Sequence, residues 1–97
     1  MEGNKFELGQ VVATKGVDER MKTDSDFKAF CFKSLARHAT GDWGDMCAED
    51  KETNEEALRT GEARLFSAYI FKKPDDKIWI ITEWDKSYTT ILFPDEY

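Results

Sequence analysis

The residues best suited to chemistry lie close together in one short segment. Residues 37–45 read RHATGDWGD and contain the only histidine of the chain, His38, followed by Asp42 and Asp45. An imidazole beside two carboxylates can bind a divalent metal ion or act as an acid–base pair. The sequence therefore offers one candidate catalytic or metal-binding site, formed by His38, Asp42 and Asp45.

Each residue of this segment also has an ordinary structural explanation. Gly41 suits the end of a helix, Asp42 suits a turn, and Asp45 can cap a following helix. His38 near a helix C-terminus interacts favourably with the helix dipole, and Trp43 can fill the core. We favour this structural interpretation, so the sequence predicts no catalytic residue, no bound metal and no cofactor here.

The rest of the chain contains no enzyme motif. It lacks the G-x-S-x-G nucleophile elbow, the phosphate-binding and dinucleotide loops and the H-E-x-x-H zinc motif. Cys31 and Cys47 form no C-x-x-C pair, which is typical of free thiols in a reducing cytoplasm. The sequence thus favours a protein that is not an enzyme, with a small enzyme at His38, Asp42 and Asp45 as the alternative.

The net charge of −6 comes from a single stretch. Residues 40–62 contain eight acidic side chains against Lys51 and Arg59, whereas the segments before and after carry +1 and −1. Carboxylates repel phosphate, which argues against direct binding to nucleic acid or to an anionic membrane. The predicted partner is another protein with a basic surface, and a merely solvated helix face is the alternative. The predicted binding residues are Asp42, Asp45, Glu49, Glu52, Glu55 and Glu56.

Two helices are predicted to hold these residues. Apolar side chains recur at helical spacing over residues 27–39, which predicts a first helix from about Asp26 with Thr23 as its cap. A second, mostly polar helix is predicted over residues 46–60, capped by Asp45 and ended by a glycine. Residues 17–21 are predicted as a loop or a single helical turn.

Four strands complete the predicted fold. Residues 8–14 form the first, and three segments rich in β-branched and aromatic residues follow at 64–71, 78–83 and 88–93. The sequence predicts one α+β domain over residues 1–97, with β-α-α-β-β-β order and two helices packed on an antiparallel meander sheet. Segment 78–83 is apolar on both faces, which predicts either burial on both sides or a homodimer. The predicted core contains Val11, Phe27, Phe30, Leu35, Trp43, Leu58, Leu65, Tyr69, Ile80 and Ile91.

Several strings resemble a known group of proteins. LGQVVATKG, RHATGDWGD, RLFSAY and KIWIITEWDKSYTTILFPDEY resemble small bacterial proteins carried on plasmids and other mobile elements, with names such as plasmid-related protein. Some members are named restriction–modification subunits, which does not fit 97 residues without a methyltransferase cofactor loop. The resemblance implies a cytoplasmic accessory protein of mobile DNA. Together with the acidic stretch, it predicts an inhibitor of a DNA-handling or defence enzyme.

A cytoplasmic location also follows from the apolar runs. None is long enough to cross a bilayer, and MEGNKFELGQ lacks the apolar region of a signal peptide. The order of elements resembles that of small ribosome-dependent or gyrase-directed toxins of toxin–antitoxin pairs. Those toxins are basic whereas this chain is acidic, so a toxin-like protein is a further alternative.

Overall fold

The computed structural model describes residues 4–97 and has an α+β architecture. No helix within that range is long and apolar enough to cross a membrane. The elements in chain order are β1 (Gln10–Ala13), α1 (Lys15–Thr23), α2 (Ser25–Ala39), α3 (Ala48–Thr60), β2 (Leu65–Ile70), β3 (Lys77–Thr82), β4 (Tyr88–Leu92) and a short 3-10 helix (Pro94–Glu96).

The four strands form one mixed sheet in the order β1-β4-β3-β2. The last three strands pair antiparallel, as the sequence predicted. β1 instead pairs parallel with β4, with Gln10 opposite Tyr88, so the prediction of a wholly antiparallel meander was wrong. Parallel neighbours need a long connection between them, and the three helices and two strands that separate β1 from β4 provide it.

The predicted order of elements was also wrong, because three helices lie between β1 and β2. The additional helix is α1, which buries Val17 completely in the core. Its first turn is held by the carboxylate of Glu96, which accepts hydrogen bonds from the Gly16 N–H at 2.9 Å and the Thr14 hydroxyl at 2.5 Å. That partner lies at the other end of the chain, so no local pattern could indicate it.

Two predicted helix caps are replaced by neighbouring residues. Asp24, rather than Thr23, caps α2 by accepting a hydrogen bond from the Phe27 N–H at 3.1 Å. Cys47, rather than Asp45, is the N-cap residue of α3. α2 ends at Ala39 as predicted. Local sequence therefore located both helices to within two residues but not their capping groups.

The core lies between the helices and one face of the sheet. Val17, Phe27 and Cys31 of α1 and α2 pack against side chains of β2, β3 and β4. Six predicted core residues are buried: Phe27, Trp43, Leu65, Tyr69, Ile80 and Ile91. Three more, Phe30, Leu35 and Leu58, are half-buried and pack against the core. Val11 was predicted wrongly, because it lies on an edge strand with 42% of its surface exposed.

The opposite face of the sheet carries aromatic side chains. Phe66 of β2 packs on Trp79 of β3 with ring centroids 4.9 Å apart, and Trp79 meets Tyr97 edge to face at 5.8 Å. The guanidinium of Arg64 lies over the Tyr97 ring and also donates a hydrogen bond to the Tyr97 hydroxyl at 2.7 Å. The chain's own C-terminus therefore contributes to covering the second apolar face of β3.

Candidate functional site

His38 lies in the core rather than in a cleft. Its side chain is completely buried, with the rings of Phe6 and Trp43 packed edge to face against it at 5.2 and 5.8 Å. Nδ1 lies 2.5 Å from the hydroxyl of Ser67, and Nε2 lies 2.9 Å from that of Thr82. Burial lowers the pKa of His38 from 6.5 to about 3, so the ring is neutral at pH 7.

The chain of hydroxyl groups beyond His38 determines its tautomer. The carbonyl oxygen of Leu8 can only accept, so the hydroxyl of Thr89 donates to it at 2.7 Å. The hydroxyl of Thr82 must then donate to that of Thr89, also at 2.7 Å. Thr82 is left to accept from Nε2–H of His38, and Nδ1 accepts from Ser67. Both ring nitrogens of His38 therefore have hydrogen-bond partners, and the chain of bonds joins α2 to three strands and to the N-terminal segment.

The two aspartates of the predicted site have different partners. Arg37 donates two hydrogen bonds to the carboxylate of Asp42, at 2.7 and 3.1 Å, and this contact lowers the pKa of Asp42. The carboxylate of Asp45 accepts from the N–H of Ile70 at 3.0 Å. Within residues 4–97, no group of three or more His, Cys, Asp or Glu side chains is placed to hold a metal ion. The structure does not bring His38, Asp42 and Asp45 together.

The GDWGD segment instead closes one edge of the sheet. The backbone N–H of Ala68 donates to the carbonyl of Trp43 at 3.2 Å, and the N–H of Asp45 donates to the carbonyl of Ala68 at 2.6 Å. Gly44 makes this approach with φ of +81°, where an added Cβ would lie 2.1 Å from the Ala68 oxygen. The segment thus forms a bridge along β2, with the Asp45 carboxylate bound to the next outward-facing N–H.

Asn54 of α3 satisfies the remaining part of this edge. Its side-chain oxygen accepts from the Phe66 N–H at 3.0 Å, and its amide nitrogen donates to the Phe66 carbonyl at 2.5 Å. These two bonds dock α3 against β2, with Ala57 and Trp43 packed around Leu65 nearby. Asn54 thus joins α3 to the sheet by hydrogen bonds, as Ser67 of β2 joins the sheet to His38 of α2.

The outer side of α3 is an acidic surface. Glu49, Asp50, Glu52, Thr53 and Glu56 line a shallow depression of about 530 Å³. All five are exposed to solvent. The buried residues of α3 are Asn54 and Ala57, and Asp50 lies one turn before Asn54, at the border between the exposed and the buried side of the helix. We name this set of five residues the acidic face.

The six predicted binding residues differ in how free their carboxylates are. Glu55 accepts a hydrogen bond from the indole N–H of Trp43 at 2.7 Å, so it has a structural role, as do Asp42 and Asp45. Glu56 pairs with Arg59 on the helix surface. Within the described part of the chain, Glu49 and Glu52 make no side-chain hydrogen bond or ion pair. Of the six, only Glu49 and Glu52 have carboxylates without a partner in the described chain, and the partner of Glu56, Arg59, is itself exposed.

A second depression, of about 400 Å³, lies between α3 and β2 beside the acidic face. Asp50 and Thr53 belong to both, and Arg64 and Phe66 form its opposite wall. This groove offers apolar and charged groups within reach of the carboxylates of α3. Its residues were not singled out as a set from sequence, because α3 and β2 come together only in the fold.

The two cysteines are free thiols, as predicted. Cys31 is buried among apolar side chains, and burial raises its pKa to about 12, so it stays protonated. Cys47 is exposed at the start of α3. The Cys31 thiol is therefore not an activated nucleophile.

Comparison with known proteins gives no match from which a function could be transferred to this chain. No protein-family model matches the chain, and no curated protein or solved structure is significantly similar to it. The function must therefore be inferred from the site.

Proposed function

We propose that this protein is an acidic binding factor that docks on a basic surface of another protein. The observation that carries the proposal is the exposed acidic face, whose carboxylates at Glu49 and Glu52 have no partner in the described chain. The whole net charge of −6 arises in residues 40–62, which contain this face. Carboxylates on a rigid helix complement a basic groove and repel nucleic acid itself.

The resemblance to proteins of mobile elements adds a candidate class of partner. Enzymes that handle DNA carry basic grooves for the phosphate backbone, and an acidic helix can compete for such a groove. We therefore propose that the partner is a DNA-handling or defence enzyme of the host, which this protein inhibits. The adjoining groove, with Phe66 and Arg64, would supply apolar and specific contacts beside the charges.

The proposal predicts that charge reversal on the acidic face slows association. We expect the triple variant Glu49→Lys, Glu52→Lys, Glu56→Lys to associate with its partner about tenfold or more slowly at low ionic strength. Exposed charges act chiefly on encounter, so dissociation should change less, and the difference should shrink at high salt because of screening. Glu55 is left unchanged because it binds Trp43.

The experiment compares two variants of equal net charge. Host proteins captured on the immobilised chain are identified, and their association rates are measured at about 0.05 and 0.5 M ionic strength. The matched control is Glu7→Lys, Glu19→Lys, Asp75→Lys, which changes three exposed carboxylates that make no side-chain hydrogen bond or ion pair within the described chain. Equal slowing by both variants would mean that only net charge matters, and equal binding by the acidic-face variant would exclude this face as the recognition surface.

A further inference from the structure

The two edges of the sheet differ in how their backbone groups are satisfied. At the β2 edge, Asn54 and the GDWGD segment bind every outward-facing group from Phe66 to the N–H of Ile70. Bonding of this kind prevents another strand from pairing there. β1 forms the other edge, and the structure shows no comparable cover for it among residues 4–97.

The register of β1 shows which of its groups face outward. Gln10 N–H donates to the carbonyl of Ser87, and Thr14 N–H donates to that of Ile91, so the even-numbered residues face β4. In a parallel ladder the N–H and C=O of one residue point to the same side. The N–H and C=O groups of Val11 and Ala13 therefore point away from the sheet, and no group in the described chain bonds to them.

The side chains of β1 leave this edge unprotected. The strand reads Gln-Val-Val-Ala and has no charge, no proline and no bulge of the kind that normally blocks an edge. Val11 is 42% exposed, Val12 is 37% exposed, and Tyr88 on the adjacent strand is 43% exposed. An apolar edge with free backbone groups pairs readily with another strand.

We infer that a second copy of this chain pairs with β1, antiparallel, across a two-fold axis at Val12. In this register Val11 of each copy exchanges two hydrogen bonds with Ala13 of the other, which satisfies all the outward-facing groups of both residues. The two Val12 side chains face each other as the central pair. The result is one continuous eight-stranded sheet.

A second copy suits this edge because of where the charge lies. The acidic face belongs to α3, which is docked at the β2 edge, three strands away from β1. In the paired sheet the two β2 strands are separated by seven strand spacings, or about 34 Å. That distance is about four Debye lengths at physiological ionic strength, so the two acidic helices hardly repel each other. Both also stay free to bind a partner.

The contact is small, so the dimer is expected to be weak and to depend on concentration. Sedimentation equilibrium of the whole chain from about 10 μM to 1 mM covers the affinity range of a short edge contact. Val12→Lys places two ammonium groups opposite each other at the axis, where paired Cα atoms lie about 4.5 Å apart, and should raise the dimer Kd at least about tenfold. Val11→Pro removes a donor that has no partner within the monomer and should act in the same direction.

The matched control is Ile70→Lys, at the β2 edge, where the outward-facing backbone groups from Phe66 to the N–H of Ile70 are already hydrogen-bonded. Ile70 is 36% exposed, almost the same as Val12, and lies on the same sheet face. We expect this variant to dimerise like the unmodified chain. Amide hydrogen exchange at Val11 and Ala13 should slow as the chain concentration rises and the dimer forms, and it should stay fast at all concentrations in Val12→Lys. A monomer at all concentrations, a dimer that survives Val12→Lys, or a dimer lost equally in Ile70→Lys would each overturn the inference.

Discussion

Replacement of His38 by Ala is expected to lower the free energy of unfolding by about 3–5 kcal/mol. The change leaves a cavity between Phe6 and Trp43, which pack against the ring. It also removes the acceptor for the Ser67 hydroxyl and the donor to Thr82, both of which are buried. Chemical denaturation at pH 7 measures this loss.

The same residue should make stability depend on pH. The pKa of His38 is about 3 in the folded chain against 6.5 for an ordinary histidine. Above pH 6.5 both states are neutral and the full stability is present. As the pH falls below 6.5, the imidazole of His38 is protonated in the unfolded chain but stays neutral in the folded chain. The free energy of unfolding should therefore drop by about 2–3 kcal/mol by about pH 4.5.

The chain offers a clean control for this effect. His38 is the only histidine, and the carboxylates of Asp42 and Asp76, whose pKa values are lowered by Arg37 and Arg20, protonate below this window. The variant His38→Gln keeps one donor and one acceptor but cannot titrate. Its stability should fall much less than that of the unmodified chain between pH 6.5 and pH 4.5, because carboxylates with a lowered pKa, such as Glu96, contribute only near the lower limit. If the unmodified chain and His38→Gln have the same pH dependence, His38 is not held neutral in the core.

A substitution at Gly44 is expected to be nearly as costly, at about 3–4 kcal/mol for Gly44→Ala. Gly44 has φ of +81°, and its new Cβ would lie 2.1 Å from the Ala68 carbonyl oxygen and 2.6 Å from the Tyr69 ring. The chain must shift to relieve this overlap. The shift breaks the two backbone hydrogen bonds that join Trp43 and Asp45 to Ala68.

Gly61→Ala separates steric overlap from backbone strain. Gly61 has a similar φ of +72°, but no atom lies within 4 Å of its added Cβ. We expect a loss of only about 1 kcal/mol there, the cost of a left-handed conformation for an L-residue. Denaturant midpoints of the two variants give the comparison. Equal losses would show that contact with Ala68 contributes nothing and that the GDWGD segment does not close the sheet edge tightly.

The expected losses of stability at His38 and Gly44 bear on function because both residues belong to the segment with the candidate catalytic or metal-binding side chains. His38 and Gly44 both belong to RHATGDWGD, which folds into a buried hydrogen-bond chain and an edge cover. The acidic face lies outside this segment, on α3. The proposed binding and the stability of the fold can therefore be altered separately, by charge changes at Glu49 and Glu52 or by substitutions at His38 and Gly44.

The sequence by itself determined the features that depend on neighbouring residues. Hydrophobic periodicity located α2 to within two residues because the helix buries one stripe of side chains. The three later strands were located as closely because they are rich in β-branched and aromatic residues and are separated by polar turns. The concentration of charge in residues 40–62 is likewise a property of the sequence alone. The candidate binding residues on α3 could be named for that reason.

Only the tertiary structure decided which carboxylates are free and which edge is open. Glu55 is engaged because Trp43 lies twelve residues earlier in the sequence but beside it in space. The parallel pairing of β1, the burial of His38 and the contact of Glu96 with α1 join residues 29 to 82 positions apart. Local patterns report that a side chain is apolar or charged, but they do not contain the identity of the element that packs against it.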